Sequence, residues 1–143
     1  MKISKGTPAQ GIFSYLNNME ALITEQNASN SLEQFLDMAF LEKCMSIRAA
    51  YGVRDLVQKL SQKGIKKKVA QNDLYAQDFL ATAKTHHMYM SLQFYLRDIE
   101  KHQFKDPNVR MWLMLLGKIF ALKQLTVDSS ILYETGFFRA GCK

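Results

Sequence analysis

Two adjacent histidines, His86 and His87, are the residues whose types first suggest chemistry. An imidazole can act as a general base or a metal ligand near neutral pH. Neighbouring residues on a helix point about 100° apart, however, so the pair cannot readily share one metal ion. The third histidine, His102, has Glu100 as its nearest acidic residue, which is not the Glu-x-x-His spacing of a di-iron bundle. We expect structural roles for all three and predict no catalytic, cofactor-binding or metal site.

Other motifs that carry chemistry are absent from the sequence. It has no GxGxxG, GxxxxGK[ST] or GxSxG segment, and no histidine has a spaced acidic partner for a nucleophilic triad. Cys44 and Cys142 lie nearly the whole chain apart, with no CxxC motif and no zinc-type histidine spacing. We interpret both as free thiols in a reducing compartment.

The basic character of the chain raises the question of an anionic partner. The net charge is +6, and a surplus of this size could favour nucleic acid, anionic lipid or the phosphates of CoA. The lysines cluster in one short run at a predicted turn, where such runs are usually solvated. No aromatic residue is interleaved with them, and we predict no nucleic-acid partner. The run comprises Lys63, Lys66, Lys67 and Lys68.

Methionines and aromatic residues recur along the second half of the chain. They could line a lipid-like cavity, although such stripes usually form core. The set is Met88, Met90, Phe94, Tyr95, Met111 and Trp112.

The bulk composition indicates one folded domain. The chain has 143 residues, of which 48% are hydrophobic and 22% charged, as in ordinary globular proteins. The N-terminal apolar stretch is broken by polar residues and lacks the core of a signal peptide. The most apolar stretch, residues 111–122, contains Lys118 and is far shorter than the roughly 20 residues needed to span a bilayer. We predict no transmembrane segment.

Apolar residues spaced by three and four predict an all-α fold. We expect a short helix over 17–25 and a long helix over 32–63, which ends at Gly64. Ser31 and Gln34 have the form of a capping box at the start of the long helix.

Three further helices complete the prediction. A second long helix runs from residue 72 or 73 to 102, and the pair Asp106-Pro107 starts a third. Asp128 caps a last short helix, which ends at Gly136. The two long helices are expected to be antiparallel, with the third packed beside them in a bundle.

The apolar positions of these helices give the expected contacts. Those of the first long helix wrap more than one face, so it must contact neighbours on two sides. The second long helix is expected to pack through Leu74, Phe79, Leu80, Ala83, Met88, Leu92, Tyr95, Leu96 and Ile99. The third has a helical stripe of Val109, Trp112, Leu113, Leu116, Ile119, Phe120 and Leu125.

Four fragments, taken in order, resemble the C-terminal domain of the peroxisomal acyl-CoA oxidases across most of the chain. They are a basic connector reaching a Tyr-Leu segment, a helix with a Phe before an Arg-Ala pair, a helix with small residues before a His and an aromatic, and a Leu-rich helix leading to a Gly-aromatic turn. The residues that carry the match are Phe13, Ser14, Tyr15, Leu16, Phe40, Arg48, Ala49, Ala83, His86 or His87, Phe94, Leu132, Tyr133, Gly136 and Phe138.

The resemblance implies FAD-dependent oxidation of fatty acyl-CoA to trans-2-enoyl-CoA, with O2 reduced to H2O2, in a peroxisomal homodimer of fatty acid β-oxidation. The family's catalytic carboxylate and flavin contacts precede this domain, and no position here matches them. The implied role is packing on the flavin-binding portion, dimerisation and forming walls of the acyl site. FAD would belong to the parent protein, and we expect no cofactor for this chain alone and no activity of its own.

The resemblance also suggests a division of the chain. Residues 1–17 are interpreted as a connector and residues 18–143 as a truncated acyl-CoA oxidase C-terminal-like domain. The family's domain continues for several more helices, so we expect a fragment, an isoform or a divergent paralogue. The chain does not end in a Ser-Lys-Leu type of address. We therefore expect a peroxisomal location from the resemblance alone, and a cytoplasmic location otherwise. The alternative function is a non-enzymatic helical interaction module, in which the apolar faces bind a partner helix.

Overall fold

The computed structural model describes residues 8–27, 31–61, 69 and 73–138. In these ranges the chain forms helices and no strands, which confirms the all-α prediction. The elements are a 3-10 helix Gly11–Asn18, α1 Met19–Thr24, a 3-10 helix Gln34–Leu36, α2 Met38–Leu60, α3 Ala76–Lys101, α4 Pro107–Val127 and α5 Ser130–Glu134.

The start of α2 differs from the prediction. Gln34 does accept a hydrogen bond from the Ser31 backbone N–H, at 3.2 Å, but this contact accompanies the short 3-10 helix rather than α2. Asp37 is extended (φ −89°, ψ 125°), which interrupts the helix, and its carboxylate then accepts from the backbone N–H of Ala39 at 3.2 Å. The predicted start at residue 32 was therefore wrong, because a better cap stands at Asp37. The predicted stop at Gly64 lies outside the described residues.

Most of the later boundaries agree with the sequence signals. The α3 helix ends at Lys101, one residue before the predicted end. Its start differs, because the cap position is Tyr75 and not Asp73, while Asn72 lies outside the described residues. Asp106 accepts from the backbone N–H of Asn108 at 2.8 Å with Pro107 in the first turn of α4, as predicted. Asp128 accepts from the backbone N–H of Ser130 at 3.2 Å and from its hydroxyl at 2.8 Å. These side chains satisfy N–H groups that the first turn of a helix leaves unpaired.

Helix α2 lies at the centre of the bundle. It contacts α1, α3, α4 and α5, which confirms the prediction of neighbours on two sides. The pair Lys59–Asp78, at 2.6 Å, joins its C-terminal end to the start of α3, so α2 and α3 are antiparallel. Its N-terminal Met38 lies against α4 as well. The most buried side chains of α2 form the middle of the core: Leu41, Cys44, Met45, Ile47, Ala49 and Ala50.

An aromatic cluster closes one side of this core. Gly136 has φ +75°, a conformation that only glycine adopts easily, and it turns the chain back after α5. Phe137 and Phe138 then pack on Phe40, with ring centroids 5.8 and 6.3 Å apart. Phe35 adds edge contacts to Phe40 and Phe138. Residues far apart in sequence therefore share one apolar cluster.

A buried guanidinium joins α2 to the C-terminal end of α4. Arg48 is 8% exposed, and its Nη1 donates to the backbone carbonyl of Gln124 at 2.8 Å. That carbonyl belongs to the last turn of α4, which has no helical partner for it. The Nη2 atom lies 3.5 Å from a carboxylate oxygen of Asp128, which precedes the cap position Ser129 of α5 and accepts from the backbone N–H of Ser130. Burial lowers the pKa of Arg48, and the adjacent Asp128 carboxylate opposes that shift.

The apolar stripes expected on α3 and α4 were partly wrong. On α3, Leu74 lies before the helix, and Leu80 and Ala83 are exposed. On α4, four residues of the expected stripe face solvent, whereas Leu125 is buried as expected, together with Gly117 and Ala121, which the stripe did not include. Small side chains allow α4 to approach its neighbours closely. The exposed members are Val109, Trp112, Leu116 and Ile119.

Asp128 performs two tasks that substitution can separate. Asp128→Asn keeps a capping oxygen for Ser130 but removes the charge opposite Arg48, whereas Asp128→Ala removes both. We expect both variants to lower the free energy of unfolding, measured by urea denaturation. Because Asn and Asp accept such a hydrogen bond equally well, the free energy of unfolding of Asp128→Ala should be about 1 kcal/mol below that of Asp128→Asn. Equal losses in the two variants would contradict the capping role.

Two helix glycines provide a matched test of packing. A Cβ at Gly52 would meet the Thr82 side chain at 3.5 Å, which is ordinary contact, so Gly52→Ala should raise stability by about 0.5–1 kcal/mol through helix propensity. A Cβ at Gly117 would lie 3.1 Å from both Met38 and Tyr95. The control Gly117→Ala should therefore stabilise less or destabilise. Thermal unfolding in which the Gly117 variant gains as much as the Gly52 variant would refute this.

Candidate functional site

The most unusual surface of the described structure is an exposed apolar stripe on α4. Its members recur every three or four residues and therefore lie on one face. Trp112 is 59% exposed and Leu116 57%, although large apolar side chains are usually buried. We call this surface the α4 stripe, and it comprises Val109, Trp112, Leu115, Leu116 and Ile119.

The charges of α4 all have one sign. Between Asp106 before the helix and Asp128 after it, the charged residues are Arg110, Lys118 and Lys123. A contiguous apolar surface marks a contact site in many proteins, and here its neighbouring charges are positive.

An apolar groove between α3 and α4 adjoins the stripe. The Tyr95 hydroxyl donates to the Leu113 carbonyl at 2.8 Å, which fixes the ring against α4. Gly117 permits the close approach, because a Cβ there would lie 3.1 Å from the ring. The groove holds a cavity of about 310 Å³ and shares Leu116 with the α4 stripe, so the two form one apolar surface. Its lining is Ser91, Leu92, Tyr95, Leu116, Gly117 and Phe120.

The two adjacent histidines have different surroundings. His86 is half-buried, its Nδ1 lies 2.7 Å from the Tyr15 hydroxyl, and its ring stacks on Phe13 with centroids 5.0 Å apart. His87 is exposed. Burial, followed by the charge of His87, lowers the pKa of His86, and burial raises the pKa of Tyr15. His86 therefore fixes the N-terminal 3-10 helix on α3.

Metal-ligating and thiol groups do not come together in the described part of the chain. No three residues among its histidines, cysteines and carboxylates are placed to hold a metal ion. Cys44 is a fully buried free thiol, and burial raises its pKa to about 12, so it stays protonated. Cys142 and the lysine run at positions 63 and 66–68 lie outside the described residues. None of the described helices is long and apolar enough to cross a membrane.

The methionines and aromatic residues singled out in the sequence do not line one cavity. Met90 is core, whereas Phe94, Met111 and Trp112 are exposed on different helices. Tyr95 lines the groove described above. Sequence reasoning missed the α4 stripe because it expected those residues to pack in the bundle. The available signal was a helix with apolar residues on all sides, too many for one buried face.

His86 makes the stability of the fold depend on pH. Its pKa is lower in the folded chain than the 6.5 of the free side chain, so the folded state favours neutral imidazole. The stabilisation is present above the unfolded pKa and is lost as the pH falls through the folded pKa. We expect the free energy of unfolding to drop as the pH falls below the unfolded pKa of about 6.5, and less steeply in His86→Gln. His102→Gln, which replaces an exposed histidine, is the matched control for loss of a histidine. An unchanged slope in His86→Gln would contradict the assignment.

A match to a known protein family covers the long helices described above. The family model described as acyl-CoA oxidase matches residues 37–141, from the Asp37 cap of α2 to beyond α5. No curated protein and no solved structure matches the chain. The family match spans all three long helices and covers well over half of the sequence, as the resemblance predicted. This chain belongs to the acyl-CoA oxidase family.

Proposed function

We propose that this chain is the C-terminal helical domain of an FAD-dependent acyl-CoA oxidase-like protein of peroxisomal fatty acid β-oxidation. The parent reaction converts acyl-CoA and O2 into trans-2-enoyl-CoA and H2O2. In this proposal the domain packs on the flavin-binding portion, supports a homodimer and forms walls of the acyl site. The chain alone supplies no catalytic residue.

The observation that supports this role is the α4 stripe. Trp112, Leu116 and Ile119 expose apolar surface to water. This surface is removed from water only when another surface covers it, and that burial is favourable. The adjoining groove adds more apolar surface on the same side of the bundle. A domain built to pack against a larger body has this property.

The residues that carry the family resemblance also support a packing role. Ala49 and Leu132 are fully buried, and Phe40 and Phe138 belong to the aromatic cluster. Arg48 holds α2 to the end of α4. These side chains are engaged within the bundle, so the resemblance concerns architecture rather than a reacting group.

Two clefts in the described part of the chain do not fit a flavin dinucleotide. Its pyrophosphate needs cations or a glycine-rich run of backbone N–H groups. The cleft that contains Arg97 and Arg110 also contains Glu42 and Glu100, which balance both charges. The α3–α4 groove has no charged residue. In our proposal FAD belongs to the parent protein, and we derive no step of flavin chemistry from this chain.

The first test is the intact mass of the endogenous protein that contains this sequence. We expect a mass several times the 16.5 kDa of this chain, together with bound FAD and peroxide release on addition of acyl-CoA. A mass near 16.5 kDa would overturn the proposal and favour the non-enzymatic interaction module, with the α4 stripe binding a partner helix.

The α4 stripe itself is tested by a paired substitution. Trp112→Gln with Ile119→Gln should remove most hydrophobic-dye fluorescence from the isolated chain, because both side chains are exposed. The free energy of unfolding should stay within about 0.5 kcal/mol. The control Leu80→Gln changes an equally exposed residue outside the stripe and should leave the fluorescence largely unchanged. An isolated wild-type chain that is monodisperse and binds no dye would count against a covered face.

A further inference from the structure

A cavity of about 230 Å³ lies where α2, α3 and the C-terminal end of α4 meet. Its lining combines thioether and aliphatic groups with a few polar ones. The residues are Met45, Arg48, Ala81, Lys84, Thr85, Met88, Gln124, Val127 and Asp128.

Arg48 is the buried cation of this cavity, and the hydrogen bonds and the opposing carboxylate around it do not satisfy all of its donors. A guanidinium has five N–H donors. Two of its nitrogens have partners, the Gln124 carbonyl at 2.8 Å and the Asp128 carboxylate at 3.5 Å, whereas Nε is buried without one. The Asp128 side chain is 44% exposed, so water weakens its attraction for the guanidinium. A buried cation with one long ion pair favours a second anion nearby.

Lys84 adds a second cation at the edge of the same cavity. It is exposed, and it makes no hydrogen bond or ion pair with the residues that the structure describes. The lining thus has two cations, Arg48 and Lys84, and one carboxylate, Asp128, which leaves one excess positive charge. The hydroxyl of Thr85 is also in the lining and donates to the Ala81 carbonyl at 2.9 Å, which leaves its oxygen able to accept.

The remaining walls are apolar. Met45 is 2% exposed, and Met88 and Val127 add further apolar surface. Two other clefts in the described part of the chain differ in their charge. One, lined by Arg97 and Arg110 with Glu42 and Glu100, has balanced charges. The other, the α3–α4 groove, has none.

We propose that this cavity binds a small monocarboxylate with a short aliphatic tail. The carboxylate lies between Lys84 and the Arg48 guanidinium, and the tail contacts the methionine side chains. Such a ligand neutralises the excess charge and fills the apolar space, which an inorganic anion does not.

The test uses the 143-residue chain with 13C-labelled methionine methyl groups and sodium hexanoate as the probe. The methyl resonances of Met45 and Met88 should shift and saturate. Those of Met38 and Met114, which line the charge-balanced cleft, serve as internal controls and should not move. Two further titrations, at equal ionic strength, separate the contribution of the tail from that of the charge. 1-Hexanol has the tail without the carboxylate, and sodium sulfate has negative charge without the tail.

The charged group is tested by Lys84→Met. Because exposed ion pairs contribute modestly, we expect hexanoate to bind about two- to five-fold more weakly, and Lys84→Glu to weaken it further. Lys101→Met, an exposed lysine near the other end of α3, is the matched control and should bind as the wild type does. Both changes lie on exposed positions, so an unchanged far-ultraviolet circular dichroism spectrum shows that the variants fold.

Three results would overturn the proposal. Equal shifts with 1-hexanol would indicate an apolar crevice without a carboxylate site. Equal affinity for sulfate would indicate an anion site without a tail. Hexanoate that leaves the Met45 and Met88 methyls unmoved would indicate no site at all. None of these results bears on the mass of the endogenous protein, so this proposal and the proposed function fail independently.

Discussion

The Arg48 guanidinium is the interaction on which the arrangement of the helices depends. It leaves α2 from the middle of the core and bonds the last turn of α4 through the Gln124 carbonyl. It also faces Asp128, whose carboxylate accepts from the first backbone N–H of α5. One buried charge therefore contacts both the end of α4 and the residue that bonds the start of α5. The guanidinium is buried whereas the Asp128 carboxylate is partly exposed, so loss of that carboxylate would leave a buried cation without an anion beside it.

The position of α5 matters because it brings the aromatic turn back to α2. Gly136 takes a left-handed conformation, and Phe137 and Phe138 reach Phe40 nearly one hundred positions earlier in the chain. The contact between Arg48 and Asp128 holds the start of α5, and the packing of Phe137 and Phe138 on Phe40 holds the turn that follows it. Two of the four fragments that resemble the acyl-CoA oxidases, the one with Phe40 and Arg48 and the one with Gly136 and Phe138, meet at these two contacts.

Among the residues that the structure describes, none covers the outer side of α4, where its large apolar side chains are exposed. Its inner face uses Gly117, Ala121 and Leu125 to approach α2 and α3, and its larger apolar residues, including Trp112, remain outside. The cavity beside Arg48 differs from this surface because it lies between three helices and contains charge. The exposed face of α4 suits contact with another protein surface, whereas the cavity beside Arg48 suits a small anion.

Local signals in the sequence determined the helical class, the number of long helices and several of their ends. The Asp106-Pro107 start and the Gly136 stop act within a few residues, so they could be read without knowing the fold. The family resemblance was likewise present in short ordered fragments, and the match over residues 37–141 confirmed it. Tertiary structure alone decided which face of α4 is buried, because that helix is apolar on nearly every side and periodicity cannot choose between them. It also decided the partners of Arg48, which lie about 75 residues away and leave no local trace.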